Sequence, residues 1–117
     1  MDGRSQSRKY QLTINSPKEH GISDDMIKDI LRNKLTLNYF CFAHEVGAEK
    51  GREHVHIFLF SHAPIRFGTV KNRFPIAHIE RAYGSAKENR DYIQKIGKWG
   101  KSEKAKTSLK DSFFESG

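Results

Sequence analysis

An α+β fold, a central antiparallel sheet with helices packed against it in the ferredoxin-like (RRM-like) manner, is the architecture this sequence predicts. Three observations carry the prediction. The candidate elements run β-α-β-β-(α)-β-α along the chain. Two consecutive aromatic and β-branched runs are separated by a turn-like segment, and two other segments repeat their apolar residues at helical spacing. A length of 117 residues suits one domain with one modest core.

Each element has a local reason. Lys9 to Ile14 alternates, with Tyr10, Leu12 and Ile14 on one face, and Asn15-Ser16-Pro17 ends the strand. Ser23 is a good N-cap, Asp24 and Asp25 suit the first helical turn, and Met26, Ile27, Ile30 and Leu31 recur at helical spacing. With Ile22 able to staple onto Ile27, this predicts a helix over 24–33. Thr36–Val46 and Glu53–Phe60 read as the two strands of a hairpin across residues 47–52. Phe67–Phe74 reads as a short helix with Phe67, Val70 and Phe74 on one side, and Ile76–Arg81 as a further strand. Ser85–Ile96 is a second helix, with Gly97 as its C-terminal stop. The organisation expected is a frayed polar start at 1–7, a domain over 8–97, and a basic linker over 98–117.

Composition narrows the class. No apolar run approaches the roughly 20 residues that cross a bilayer, so no membrane span is expected, and the first residues lack a signal-peptide core. The single cysteine, Cys41, excludes an internal disulfide and a Cys-rich zinc module, and reads as a buried small hydrophobe in a reducing, intracellular setting. The formal charge of +7 is unevenly placed. Residues 1–65 carry nine basic and eight acidic side chains, whereas residues 66–110 carry twelve and four. A basic half on a near-neutral half is the footprint of a polyanion-binding surface.

The chemistry centres on Glu53-His54-Val55-His56. Strand alternation points His54 and His56 to one face, about 7 Å apart along the strand, where two imidazoles can converge on one ion. If Val46 faces Glu53 across the turn, Glu45 lies opposite His54 and joins that face; a slip of one residue substitutes His44. Two imidazoles and a carboxylate suit Mn²⁺ or Mg²⁺. On the last helix Glu88, Tyr92 and Lys95 share one side, while Asn89, Ile93 and Ile96 take another. Glu88 has two readings: a fourth metal ligand, or the acidic member of a Ser85-Ala86-Lys87-Glu88 capping box.

Three short motifs in order resemble the HUH endonuclease superfamily, and within it the replication initiators of small circular single-stranded DNA viruses and related plasmids. Tyr10-Gln11-Leu12-Thr13-Ile14-Asn15-Ser16-Pro17 is similar to the first motif, His54-Val55-His56 to the second, and Tyr92-x-x-Lys95 to the third. The resemblance covers residues 8–97 and implies the HUH endonuclease fold. It implies that Tyr92 attacks a phosphodiester of single-stranded origin DNA in a stem-loop, leaving a 5′-phosphotyrosine link and a free 3′-OH. Glu45, His54 and His56 would hold the metal, and Lys95 would position the phosphate or offset its charge. Lys9, Gln11 and Asn15 on the first strand, with Arg66, Lys71, Arg73 and Arg81, are the DNA-binding candidates.

The resemblance implies a C-terminal ATP-dependent helicase domain in the full-length protein; no phosphate-binding Gly-x-x-x-x-Gly-Lys-[Ser/Thr] loop occurs in this chain, which is therefore expected to be the N-terminal nuclease domain alone. The nuclease part is expected to be monomeric, in a host nucleus for a eukaryotic virus or in bacterial cytoplasm for a plasmid. The competing readings are a single-tyrosine transposase or relaxase of the same superfamily, and a non-catalytic RNA-binding module on a ferredoxin-like sheet.

Overall fold

The computed structural model describes residues 3–46, 52–95 and 112–117. Five antiparallel strands form one sheet in the order β4-β1-β3-β2-β5: β1 Gln6–Asn15, β2 Tyr39–Val46, β3 Glu53–Arg66, β4 His78–Arg81 and β5 Phe114–Ser116. Helix α1 (Asp24–Asp29) runs on into a π-helical turn at Ile30–Lys34, α2 spans Phe67–Arg73, and α3 spans Ala86–Gln94. The predicted α+β architecture is the one observed, and no described helix is long and apolar enough to cross a membrane.

Strand alternation gives the sheet two cores. Tyr10, Leu12, Ile14, Phe40, Phe42, Val55, Ile57 and Leu59 face Ile27 and Leu31 of the first helical segment and Val70 and Phe74 of α2. The hydroxyl of the fully buried Tyr10 donates to the Ile65 carbonyl at 2.7 Å, so its burial leaves no orphan donor. Cys41, Ala43 and Phe58 point the other way and pack on Ile93 of α3. Burial pushes the Cys41 thiol up to about 12, leaving it an inert filler.

Besides the later starts of β2 at Tyr39 rather than Thr36 and of β4 at His78 rather than Ile76, four boundaries differ from the sequence reading, each for a physical reason. Of the start expected to be frayed at 1–7, the described residues 3–7 are ordered by contacts: β1 begins at Gln6, and the Ser5 and Gly3 carbonyls accept from Phe67 at 2.7 Å and Gly68 at 3.0 Å. Strand β3 continues past Phe60 to Arg66, because the register shifts between Ser7 and Lys9 and the bulge absorbs Pro64. Helix α3 ends at Gln94: Lys95, not Gly97, takes the left-handed cap conformation (φ 59°, ψ 49°), while Gly97 lies outside the described residues. Finally, Phe114–Ser116, read as linker, pairs with Phe40–Phe42 as an edge strand. Residues 98–111 of that linker, and residues 47–51 between β2 and β3, lie outside the described residues.

Candidate metal centre and nucleophile helix

The β2–β3 ladder pairs Val46 with Glu53 and Glu45 with His54, so the hairpin takes the register that puts the carboxylate beside the imidazoles. Glu45 Oε2 lies 3.1 Å from His54 Nε2 and 3.3 Å from His56 Nε2, and the two rings meet edge to face with centroids 4.8 Å apart. The three ligand atoms all lie within 4.8 Å of one another. His44 points to the opposite face, as alternation requires. There its Nε2 is 2.6 Å from Asp24 and its Nδ1 2.7 Å from Glu53, with its ring against Phe42.

The donor set fits a divalent metal ion. Burial acts to raise the Glu45 carboxyl, but the His56 ring and the Lys95 ammonium beside it win and hold it at about 2, so it is a carboxylate throughout the neutral range. Its Oε1 is buried without a directed hydrogen bond, the nearest cation being Lys95 Nζ at 2.8 Å. Behind the ligands, Thr13 sits opposite His56 on β1 with its hydroxyl 3.4 Å from Nδ1, which leaves Nε2 turned to the cluster.

Helix α3 brings up the remaining groups. Its N-terminus is closed by the Ser85–Glu88 capping box: the Ser85 amide donates to Glu88 Oε1 at 3.2 Å and the Glu88 amide to Ser85 Oγ at 3.0 Å. Glu88 therefore serves the helix end, and the ligand group of Glu45, His54 and His56 does not include it. Four residues on, Tyr92 stands edge-on to His56, centroids 6.5 Å apart. Lys95 is buried with its Nζ 3.9 Å above the Tyr92 ring, donating to the Tyr92 carbonyl at 2.7 Å. The left-handed backbone at Lys95 folds this side chain back; a non-glycine residue pays about 1–2 kcal/mol for that conformation, a strain of the kind found where geometry serves a site.

The DNA-binding candidates divide between the faces. Lys9, Gln11 and Asn15 alternate with Tyr10, Leu12 and Ile14 and so share the cluster face. Gln11 is committed inward: it donates to Asn89 Oδ1 at 2.6 Å, and the buried Asn89 in turn donates to the carbonyls of Tyr83 and Ser85, both at 2.9 Å. Lys71 and Arg73 belong to α2 on the opposite face, where Lys71 donates to the Ala77 carbonyl. Arg81 is opposite Tyr10 and Arg66 opposite Gln6, at the far ends of their ladders. Sequence reasoning passed over Thr13 and Asn89 as site-building residues. For Thr13 the signal was available: it lies between Gln11 and Asn15 on the face already assigned to the site.

Residues 7–96 match the family model described as "Putative viral replication protein". No curated protein gives a significant match to the chain. The matched span begins at the first residues of β1, takes in the histidine pair and closes just past Lys95, and the chain belongs to this family of viral replication proteins.

Proposed function

We propose that this chain is the DNA-nicking and -joining module of a replication initiator, using Tyr92 as a nucleophile beside a divalent metal held by Glu45, His54 and His56. One observation carries the reading: Tyr92 is the tyrosine whose ring stands against the cluster. The other three lie away from it. Tyr10 donates to Ile65 on the opposite face, Tyr39 donates to Glu115, and Tyr83 lies exposed before α3.

A bound Mn²⁺ or Mg²⁺ supplies Lewis acidity that polarises a phosphate oxygen. Around it, the chain's own groups have distinct tasks. The Tyr92 oxygen forms a bond to phosphorus as the bond to the 3′-oxygen breaks, the phenol giving up its proton and the 3′-oxygen leaving as a hydroxyl. Lys95 holds positive charge at the phosphate that Tyr92 attacks. Thr13 fixes the His56 ring, and the Gln11–Asn89 bond holds α3 to β1. Reversal of the step rejoins DNA ends. Support against a non-catalytic RNA-binding module comes from the sheet: the face with the histidines is partly covered by α3 through Ile93 and Phe58, so it offers no open aromatic platform.

The test is a labelled single-stranded stem-loop oligonucleotide incubated with Mn²⁺ and resolved under denaturing conditions. Wild type is expected to give a denaturant-resistant adduct, and Tyr92→Phe none, with DNA binding retained. An adduct formed by Tyr92→Phe removes Tyr92 from the role.

A further inference from the structure

Strand β5 has three residues, yet it is held on both faces. Phe114, opposite Phe42, turns to the α1 side. Its ring centroid lies 5.6 Å from Phe42 and 6.0 Å from Phe40, with Lys28 Nζ 4.3 Å and the Arg32 guanidinium carbon 5.1 Å above it. Glu115, opposite Cys41, turns to the α3 side. There its carboxylate accepts from Arg90 Nε at 2.8 Å, from Arg90 Nη2 at 2.7 Å and from the Tyr39 hydroxyl at 3.0 Å. The Arg90 guanidinium also lies over the Phe113 ring, 5.7 Å from its centroid.

Arg90 is two residues from Tyr92 on a helix of only nine residues. The other contacts of that helix with the sheet fix it incompletely. Ile93 is held by apolar burial, which has no direction, Asn89 is tied to Gln11 on the β1 side, and Lys95 at the C-cap reaches Glu45 of β2 by a single ammonium contact at 2.8 Å. In the middle of the helix, a fork-to-fork guanidinium–carboxylate pair adds the planar, bidentate constraint that these contacts lack. Its side chains are 34% and 38% exposed, so solvent screening leaves the pair little weight in overall stability. A contact with strict geometry and small stabilising value is suited to aiming a helix.

We propose that Glu115 and Arg90 are a positioning pair for Tyr92: β5, anchored by Phe114, sets the placement of α3 on the sheet and so the approach of Tyr92 to Glu45, His54 and His56. The proposal rests on the nuclease reading above.

The experiment compares wild type, Glu115→Gln, Arg90→Lys and the reversed pair Arg90→Glu with Glu115→Arg. Single-turnover cleavage of the stem-loop oligonucleotide is measured with its Kd, the Mn²⁺ midpoint of cleavage, the melting temperature, and amide exchange across residues 89–93. Glu115→Gln is expected to slow cleavage at least tenfold, within the roughly hundredfold that a 1 Å misplacement can cost. Kd, Mn²⁺ midpoint and melting temperature should stay put while exchange in 89–93 quickens. Arg90→Lys keeps the charge but loses the fork, and should share the defect. The reversed pair should recover much of the rate. Unchanged cleavage overturns the proposal, and so does a fall in DNA affinity and Mn²⁺ response in step with the rate, which marks a merely structural contact. A wild type that makes no adduct overturns the nuclease reading separately; the exchange measurement then decides the clamp alone, and unchanged exchange overturns it.

Discussion

Glu45 and His44 are neighbours in sequence and do opposite jobs, which makes them the sharpest pair to alter. Glu45→Ala is expected to abolish Mn²⁺ binding read by calorimetric titration, as His54→Ala or His56→Ala should. His44→Ala removes contacts to Asp24 and Glu53 at 2.6 and 2.7 Å and should cost about 1–2 kcal/mol in a urea melt, with Mn²⁺ binding retained. The reverse pattern would mean that the ladder is one residue out. Glu45 also sets a pH dependence. Its folded value of about 2 lies below the ordinary 4.5, so the chain binds this proton more readily when unfolded. The stabilisation it contributes is complete above about pH 4.5 and is lost as pH falls towards 2. Urea midpoints across that range should fall more steeply for wild type than for Glu45→Gln.

At the scale of elements, α3 carries the proposed nucleophile on a helix stopped by its own side chains at both ends. Ser85→Ala should cost about 1 kcal/mol through the lost cap, and hydrogen exchange should show the first turn of α3 opening. Glu88→Gln is expected to leave the Mn²⁺ midpoint of cleavage where it is, because the carboxylate serves the Ser85 amide; a shifted midpoint would return Glu88 to the ligands. Much of this was legible in the chain. The hairpin register followed from assuming that Val46 faces Glu53, and the amphipathic helices from their apolar spacing. What stayed hidden was long-range or counter to local rules. Nothing near Lys95 announces a left-handed lysine with Gly97 two residues further on, since its conformation is compensated by contacts with Glu45 and Tyr92. Likewise Phe114–Ser116 is too short to read as a strand until the edge of β2 is there to receive it.

At the scale of the whole molecule, the basic side chains among the described residues are divided between the two faces of the sheet. Lys71 and Arg73 lie on the α2 side of the sheet, away from the cluster, whereas Lys9 shares the cluster face. Single-strand binding should weaken with salt at a log–log slope near −0.7 for each phosphate neutralised. Lys9→Ala is expected to flatten that slope by about 0.7, and the double change Lys71→Ala with Arg73→Ala to leave it unaltered. A slope flattened by the double change instead would put the nucleic acid on the helical face of α2.

The edge position of β5 bears on how the chain is made. Its three residues leave the ribosome well after β2, yet they cover the outer margin of Phe40–Phe42. Until they arrive, nascent β2 presents unpaired backbone and an apolar run to any neighbouring chain, the arrangement that templates aggregation. Synthesis, rather than the finished fold, is where this strand is most exposed to failure. A chain stopped before Ser112 should populate higher oligomers on size-exclusion chromatography, because the edge of β2 then stays open.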